Sequence, residues 1–87
     1  MSTFELTVST PDGIMFEGEA QALFVRGSEG DLAVLASHAP FVTSVKECTC
    51  RIIDSDGEET AADINGGLLS VTDGGKTILL TTTYNKK

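Results

Sequence analysis

Three short stretches of this 87-residue chain hold the side chains that could do chemistry. The first is Gly27-Ser28-Glu29-Gly30-Asp31, a hydroxyl and two carboxylates on a corner framed by glycines, which take positive φ at little steric cost. The second is Ser37-His38-Ala39-Pro40, with the only histidine and one of the two prolines. The third is Cys48-Thr49-Cys50, which holds both thiols. Nucleophilic catalysis needs a base within hydrogen-bond reach of its nucleophile, yet adjacent strand residues such as Ser37 and His38 point to opposite faces. One histidine with no Cys-His or Ser-His signature supplies no triad, so no catalytic residue is assigned. His38 reads instead as a polar structural or interface residue whose hydrogen bond pins the bend before Pro40.

Cys48, Cys50 and His38 are ligands of the right type for zinc, but a C-x-C with no second pair is a weak signal. The two cysteines read as small apolar residues turned toward a core. One residue apart on a strand, they share a face, with Cα atoms near the upper limit for bridging. They are therefore expected to be free thiols in a reducing compartment. The Gly27-x-x-Gly30 corner has neither a following helix nor a P-loop lysine, which argues against phosphate cradling. No metal and no cofactor are implied. The acidic corner itself has two readings: a solvated turn, or a docking knob for a basic loop, whose charge would improve registration and on-rate more than affinity.

Strands must carry these stretches. Phe4, Leu6 and Val8 alternate with Glu5, Thr7 and Ser9, the pattern of a half-buried strand over 3–9. Thr10-Pro11-Asp12-Gly13 is a turn. Further strands are expected over 14–18, 20–26, 32–35, 41–45, 48–53, 59–64, 68–72 and 77–83. Asp54-Ser55-Asp56-Gly57, Asn65-Gly66-Gly67 and Asp73-Gly74-Gly75 separate the later ones. No stretch carries a helical stripe of useful length, although a helical turn around 36–38 stays open. Turn signals recur every 8–12 residues or so, as in a sandwich or barrel, and the chain reads as all-β. In the 20–26 strand both faces become apolar at Leu23-Phe24-Val25, which requires a central position or a covering partner. Lys86 and Lys87 read as a terminal run of charge.

The totals agree with a small binding domain. Residues 1–87 form one domain, and 13 acidic against 6 basic residues give a net charge of −7. That balance argues against nucleic acid and anionic membranes and favours protein partners with basic loops. No window approaches the roughly 20 apolar residues of a membrane span, so no lipid insertion is expected. Met1-Ser2-Thr3-Phe4-Glu5 lacks the basic and apolar regions of a signal peptide, and a cytosolic product is expected.

At Gly27-Ser28-Glu29-Gly30-Asp31-Leu32-Ala33-Val34, followed by His38-Ala39-Pro40-Phe41, the sequence resembles the epsilon subunit of bacterial F-type ATP synthase, called delta in mitochondria. Phe4-x-Leu6-x-Val8-x-Thr10-Pro11-x-Gly13 resembles that family's opening strand, and Gly66-Gly67-Leu68-Leu69-x-Val71 its Gly-Gly-aliphatic-x-Val strand. The resemblance implies a flattened ten-stranded β-sandwich at the foot of the central stalk, on the cytoplasmic face of the cell membrane as a peripheral part of the F1 complex. It implies contact of Ser28, Glu29 and Asp31 with polar loops of the c-ring, and a gamma-subunit side holding Thr10, His38 and Thr43. The implied role is a non-catalytic rotor subunit that couples ion-driven rotation to ATP synthesis. The alternative is a free-standing β-sandwich protein-binding module unrelated to a rotary motor. Two departures stand out. The C-terminal helical hairpin of most members has no counterpart in these 87 residues, so a hairpin-less member or a domain cut from its hairpin is expected. Cys48-Thr49-Cys50 also stands where a Pro-Gly commonly precedes the strand.

Overall fold

Alternation decides the first element: Phe4, Leu6 and Val8 are buried and Glu5 is exposed along β1 (Phe4–Thr10). The computed structural model describes residues 2–36, 39–72 and 75–87. These form nine strands and no helix: β1, β2 (Gly13–Gly27), β3 (Gly30–Leu35), β4 (Phe41–Val45), β5 (Cys48–Asp54), β6 (Glu59–Ile64), β7 (Gly67–Val71), β8 (Lys76–Thr81) and β9 (Asn85–Lys86). Of the open helical turn at 36–38, residues 37 and 38 lie outside the described residues.

β2 departs from the expected pair of short strands. It runs unbroken for 15 residues because its two halves serve different sheets. From Gly13 to Ala20 it pairs with β1, and from Ala22 to Gly27 with β3. Its other side meets β5 from Ala20 to Phe24, with a register shift between Ala20 and Ala22. One layer thus runs β2–β1–β8–β7–β4 and the other β3–β2–β5–β6–β9. The described residues thus form nine strands where the resemblance implied ten, with β2 serving both layers. Gly27 also pairs with Val45, so the two layers are joined again at the far end of β2. The Cα envelope measures 29 × 26 × 22 Å, so the flattening is mild.

Both layers contribute to one core. Leu6, Leu69 and Leu79 of the first face Leu23 and Ile52 of the second, all fully buried. Each such side chain contributes roughly 1.5–3 kcal/mol of burial. At Leu23-Phe24-Val25, β2 is central: Leu23 and Val25 turn inward, and Phe24 turns outward beneath the Arg51 guanidinium, 4.7 Å from its ring centroid.

The chain's last residues correct the sequence reading. Lys86 and Lys87 are not a loose run of charge, since Asn85 and Lys86 pair with Asp63 and Ala62 of β6, and the Lys87 N–H donates to the Ala61 carbonyl. Tyr84 packs against the core beside them. Asp63 accepts a hydrogen bond from the Thr49 hydroxyl at 2.7 Å and an ion pair from Lys87, which together hold its carboxyl below the usual range. A two-residue strand carries no periodicity, so pattern alone does not reveal it.

Gly66 and Gly67 are required by close approach. Both have positive φ, and a Cβ on Gly66 would sit 2.7 Å from the Val45 carbonyl oxygen. A Cβ on Gly67 would overlap the carbonyl oxygen of Leu80. The Thr81 hydroxyl closes the same junction by donating to the Gly66 carbonyl at 2.6 Å. Gly67→Ala is expected to cost about 3 kcal/mol or more, read as a lowered urea midpoint. Thr77, by contrast, is fully buried, and its hydroxyl has no hydrogen-bond partner among the described residues. Thr77→Val is expected to be neutral or to stabilise by about 1 kcal/mol in the same assay.

Candidate functional site

The acidic corner is the β2–β3 hairpin, with Ser28 and Glu29 at its tip between paired Gly27 and Gly30. Gly30 has φ +129°, which a β-carbon would strain. The base of the hairpin is tied to the rest of the domain at Arg26. The Lys46 N–H donates to the Arg26 carbonyl at 2.8 Å, and the Arg26 N–H donates to Cys48 Sγ at 3.4 Å. Cys48 thus takes the place of a carbonyl acceptor where β2 leaves β5.

The two carboxylates differ in their surroundings. Asp31 Oδ1 accepts from Arg26 Nε at 3.2 Å, an exposed pair that contributes little to stability but offsets part of the charge. Glu29 has no ion partner among the described residues. Ser28, Glu29 and Asp31, which the sequence grouped, therefore do lie together. They line a shallow depression of about 230 Å³ whose other wall is Phe41 and Thr43.

The residues expected on a second side are more dispersed. Thr43 is half-buried, points inward on β4 opposite Leu69, and borders the corner. Thr10 lies elsewhere, closing its own turn: its hydroxyl donates to the Gly13 carbonyl at 3.2 Å and accepts from the Asp12 N–H. It borders a separate groove with Pro11, Gly67, Leu68 and Leu80. His38 lies outside the described residues. Sequence reasoning missed Leu68 and Leu80, which are opposite one another on β7 and β8 and both exposed. The available signal was the pair of doublets, Leu68-Leu69 and Leu79-Leu80, because consecutive apolar residues on a strand face both ways.

The chain matches the delta/epsilon-chain β-sandwich domain of ATP synthase over residues 3–86. Its fold is also that of a chain in the Euglena gracilis mitochondrial ATP synthase, an assembly of OSCP, F1 and c-ring, with a TM-score of 0.91 and 23% identity. That match covers 99% of this chain and 54% of the Euglena one. A chain in the central stalk and c-ring of the Tetrahymena thermophila mitochondrial ATP synthase aligns with a TM-score of 0.82 and 12% identity, over 92% of this chain and 63% of that one. The chain thus spans roughly half to two thirds of the length of these structural relatives.

Burial governs the thiols. Cys48 and Cys50 are both free and face inward on β5, as their spacing implied, with Cys48 half-buried and Cys50 fully buried. Among the described residues no three His, Cys, Asp or Glu side chains are placed to share a metal ion. Burial, with the neighbouring Cys48 second, pushes the Cys50 thiol up to about 11. The unfolded chain loses this proton near 9, so the folded state holds it longer and stability is lost as pH rises from about 9 to 11. The loss is expected to reach roughly 2–3 kcal/mol, and the urea midpoint of Cys50→Ala should decline less over that interval than that of the parent.

Proposed function

The chain belongs to the delta/epsilon-chain β-sandwich family of ATP synthase, and on that premise we propose that it is a non-catalytic rotor subunit of the central stalk. It links the gamma subunit to the membrane c-ring, so that ring rotation driven by protons or sodium ions turns the stalk and is coupled to ATP synthesis. It works as a peripheral component of F1 on the cytoplasmic face of the membrane. The observation that carries this reading is the family match, which runs through nearly the whole chain, residues 3–86. The solved assemblies that share the fold include a c-ring in both cases, and one is described as a central stalk.

The mechanism is mechanical. A slab whose two layers share one strand transmits torque without deforming, provided that it is gripped at separate places. Ser28, Glu29 and Asp31 form the c-ring grip: the corner is acidic, glycine-framed and tied at Arg26, and Glu29 has no ion partner among the described residues. The gamma grip lies on the side that carries Thr10, with His38 and Thr43 as its other sequence candidates. Charge on such a corner sets registration and association rate.

Reversal of the corner tests the reading. Glu29→Lys combined with Asp31→Lys is expected to weaken c-ring association about tenfold at low salt, with circular dichroism and urea midpoint little changed. Unchanged assembly in a reconstituted complex would remove the corner from the mechanism. Failure of the parent chain to co-purify with gamma and c-ring would remove the rotor reading itself.

A further inference from the structure

An asparagine or aspartate followed by glycine can cyclise spontaneously, because glycine leaves the attacking backbone nitrogen unhindered. The described residues hold three such pairs: Asp12-Gly13, Asp56-Gly57 and Asn65-Gly66. The asparagine pair is the most reactive of them, since an amide leaves more readily than an ionised carboxylate oxygen. It is also the pair whose surroundings differ. A β-carbon on Gly13 or Gly57 would meet nothing within 4 Å, whereas one on Gly66 would lie 2.7 Å from the Val45 carbonyl oxygen and 3.5 Å from the Glu47 nitrogen. Gly66 is buried, yet Asn65 before it is exposed. Asn65 borders two surface depressions, one beside Pro11 and Leu68 and the other beside Glu47 and Asp63, so water reaches its carboxamide.

Thr81 clamps this pair. Its side chain is buried, and its hydroxyl donates to the Gly66 carbonyl at 2.6 Å while standing 3.3 Å from Oδ1 of Asn65. The two atoms that ring closure must join, the Gly66 nitrogen and Asn65 Cγ, therefore belong to residues that one hydroxyl holds at once. Closure also needs the backbone between Asn65 and Gly66 to turn. Any such turn is made against the carbonyls of Val45 and Leu80, which leave no room for one added carbon at Gly66 or Gly67.

We propose that Asn65 is a deamidation site gated by this junction. When the junction opens, the Gly66 nitrogen attacks Asn65 Cγ. A new C–N bond forms, the bond from Cγ to Nδ2 breaks, and the proton of the attacking nitrogen leaves with the amide as ammonia. Water then opens the succinimide at either carbonyl, giving aspartate or isoaspartate, and nothing besides water is consumed. Each event adds one carboxylate to a chain already at −7. Isoaspartate also places its β-carbon in the main chain, directly before two glycines that have no room for one. The modified chain cannot rebuild the junction, so ageing of the protein is coupled to how often these strands open. The site is independent of the rotor reading, because it requires no partner.

The test follows the 87-residue chain at neutral pH by peptide mass spectrometry, with isoaspartate separated by chromatography. In denaturing urea Asn65 is expected to deamidate about tenfold faster than in the folded chain, or more. Thr81→Val, checked as folded by circular dichroism, is expected to deamidate about threefold to tenfold faster than the parent, the effect of one lost hydrogen bond. Thr81→Ser keeps the hydroxyl and should match the parent. Asn65→Gln, which must close a larger ring, should lose no ammonia at this position on the same timescale. The purified isoaspartate form should show a lowered urea midpoint. Equal rates in the folded and denatured parent would overturn the gate, and that comparison decides even where Thr81→Val does not fold. A folded Thr81→Val no faster than the parent, or an isoaspartate form with the parent's midpoint, would overturn it equally.

Discussion

The structure depends on one strand belonging to two sheets. A sandwich of two independent layers can shear, because only side-chain contact joins them. Here the backbone of β2 crosses from one layer to the other, and Gly27 pairs with Val45 where it ends. The core then fills a space whose walls are covalently tied. This suits a small domain, which buries too little surface to resist deformation by packing alone. The junction at Gly66, Gly67 and Thr81 serves the same end at the other side of the first layer, where three backbones approach so closely that no side chain fits between them.

Stiffness and charge placement work together. The acidic hairpin would be a floppy tip were its base not hydrogen-bonded at Arg26 to the β4–β5 connection. Because the base is held there, the backbone that carries Glu29 is tied to the rest of the domain. A charge fixed in place orients a partner, whereas a mobile one only attracts it. Arg26 also divides the labour within the corner, holding Asp31 in an internal pair and leaving Glu29 to the outside. Most of the remaining acid is distributed over β1 and β2 and the β5–β6 hairpin. There Asp54 spends its carboxylate on the N–H groups of its own turn.

The interior is not optimised for stability. Thr77 keeps an unsatisfied hydroxyl in the core, and Cys50 keeps a thiol there whose ionisation folding opposes. Among the described residues no group of metal-ligating side chains gathers around them. Marginal stability is the usual condition of natural domains, and groups like these are tolerated where shape matters more than the last kilocalorie.

What the sequence determined by itself was everything that period and turn chemistry encode. Phe4, Leu6 and Val8 announced a half-buried strand. The Asp54 to Gly57 and Gly27 to Gly30 corners announced hairpins, and the shared face of Cys48 and Cys50 followed from their spacing. The acidic corner was legible because glycines and carboxylates in that order have few other uses. Tertiary structure alone decided the rest. The unity of β2 depends on which neighbours its two halves find, and local pattern broke it at Gly18. The strand at Asn85-Lys86 exists only because β6 offers an open edge. The pairing of Arg26 with Asp31, and the gathering of Ile14, Leu68 and Leu80 on one face, join residues far apart in sequence or across a turn. Period fixes which way a side chain points from its own strand, but only strand order and register determine what it points beside.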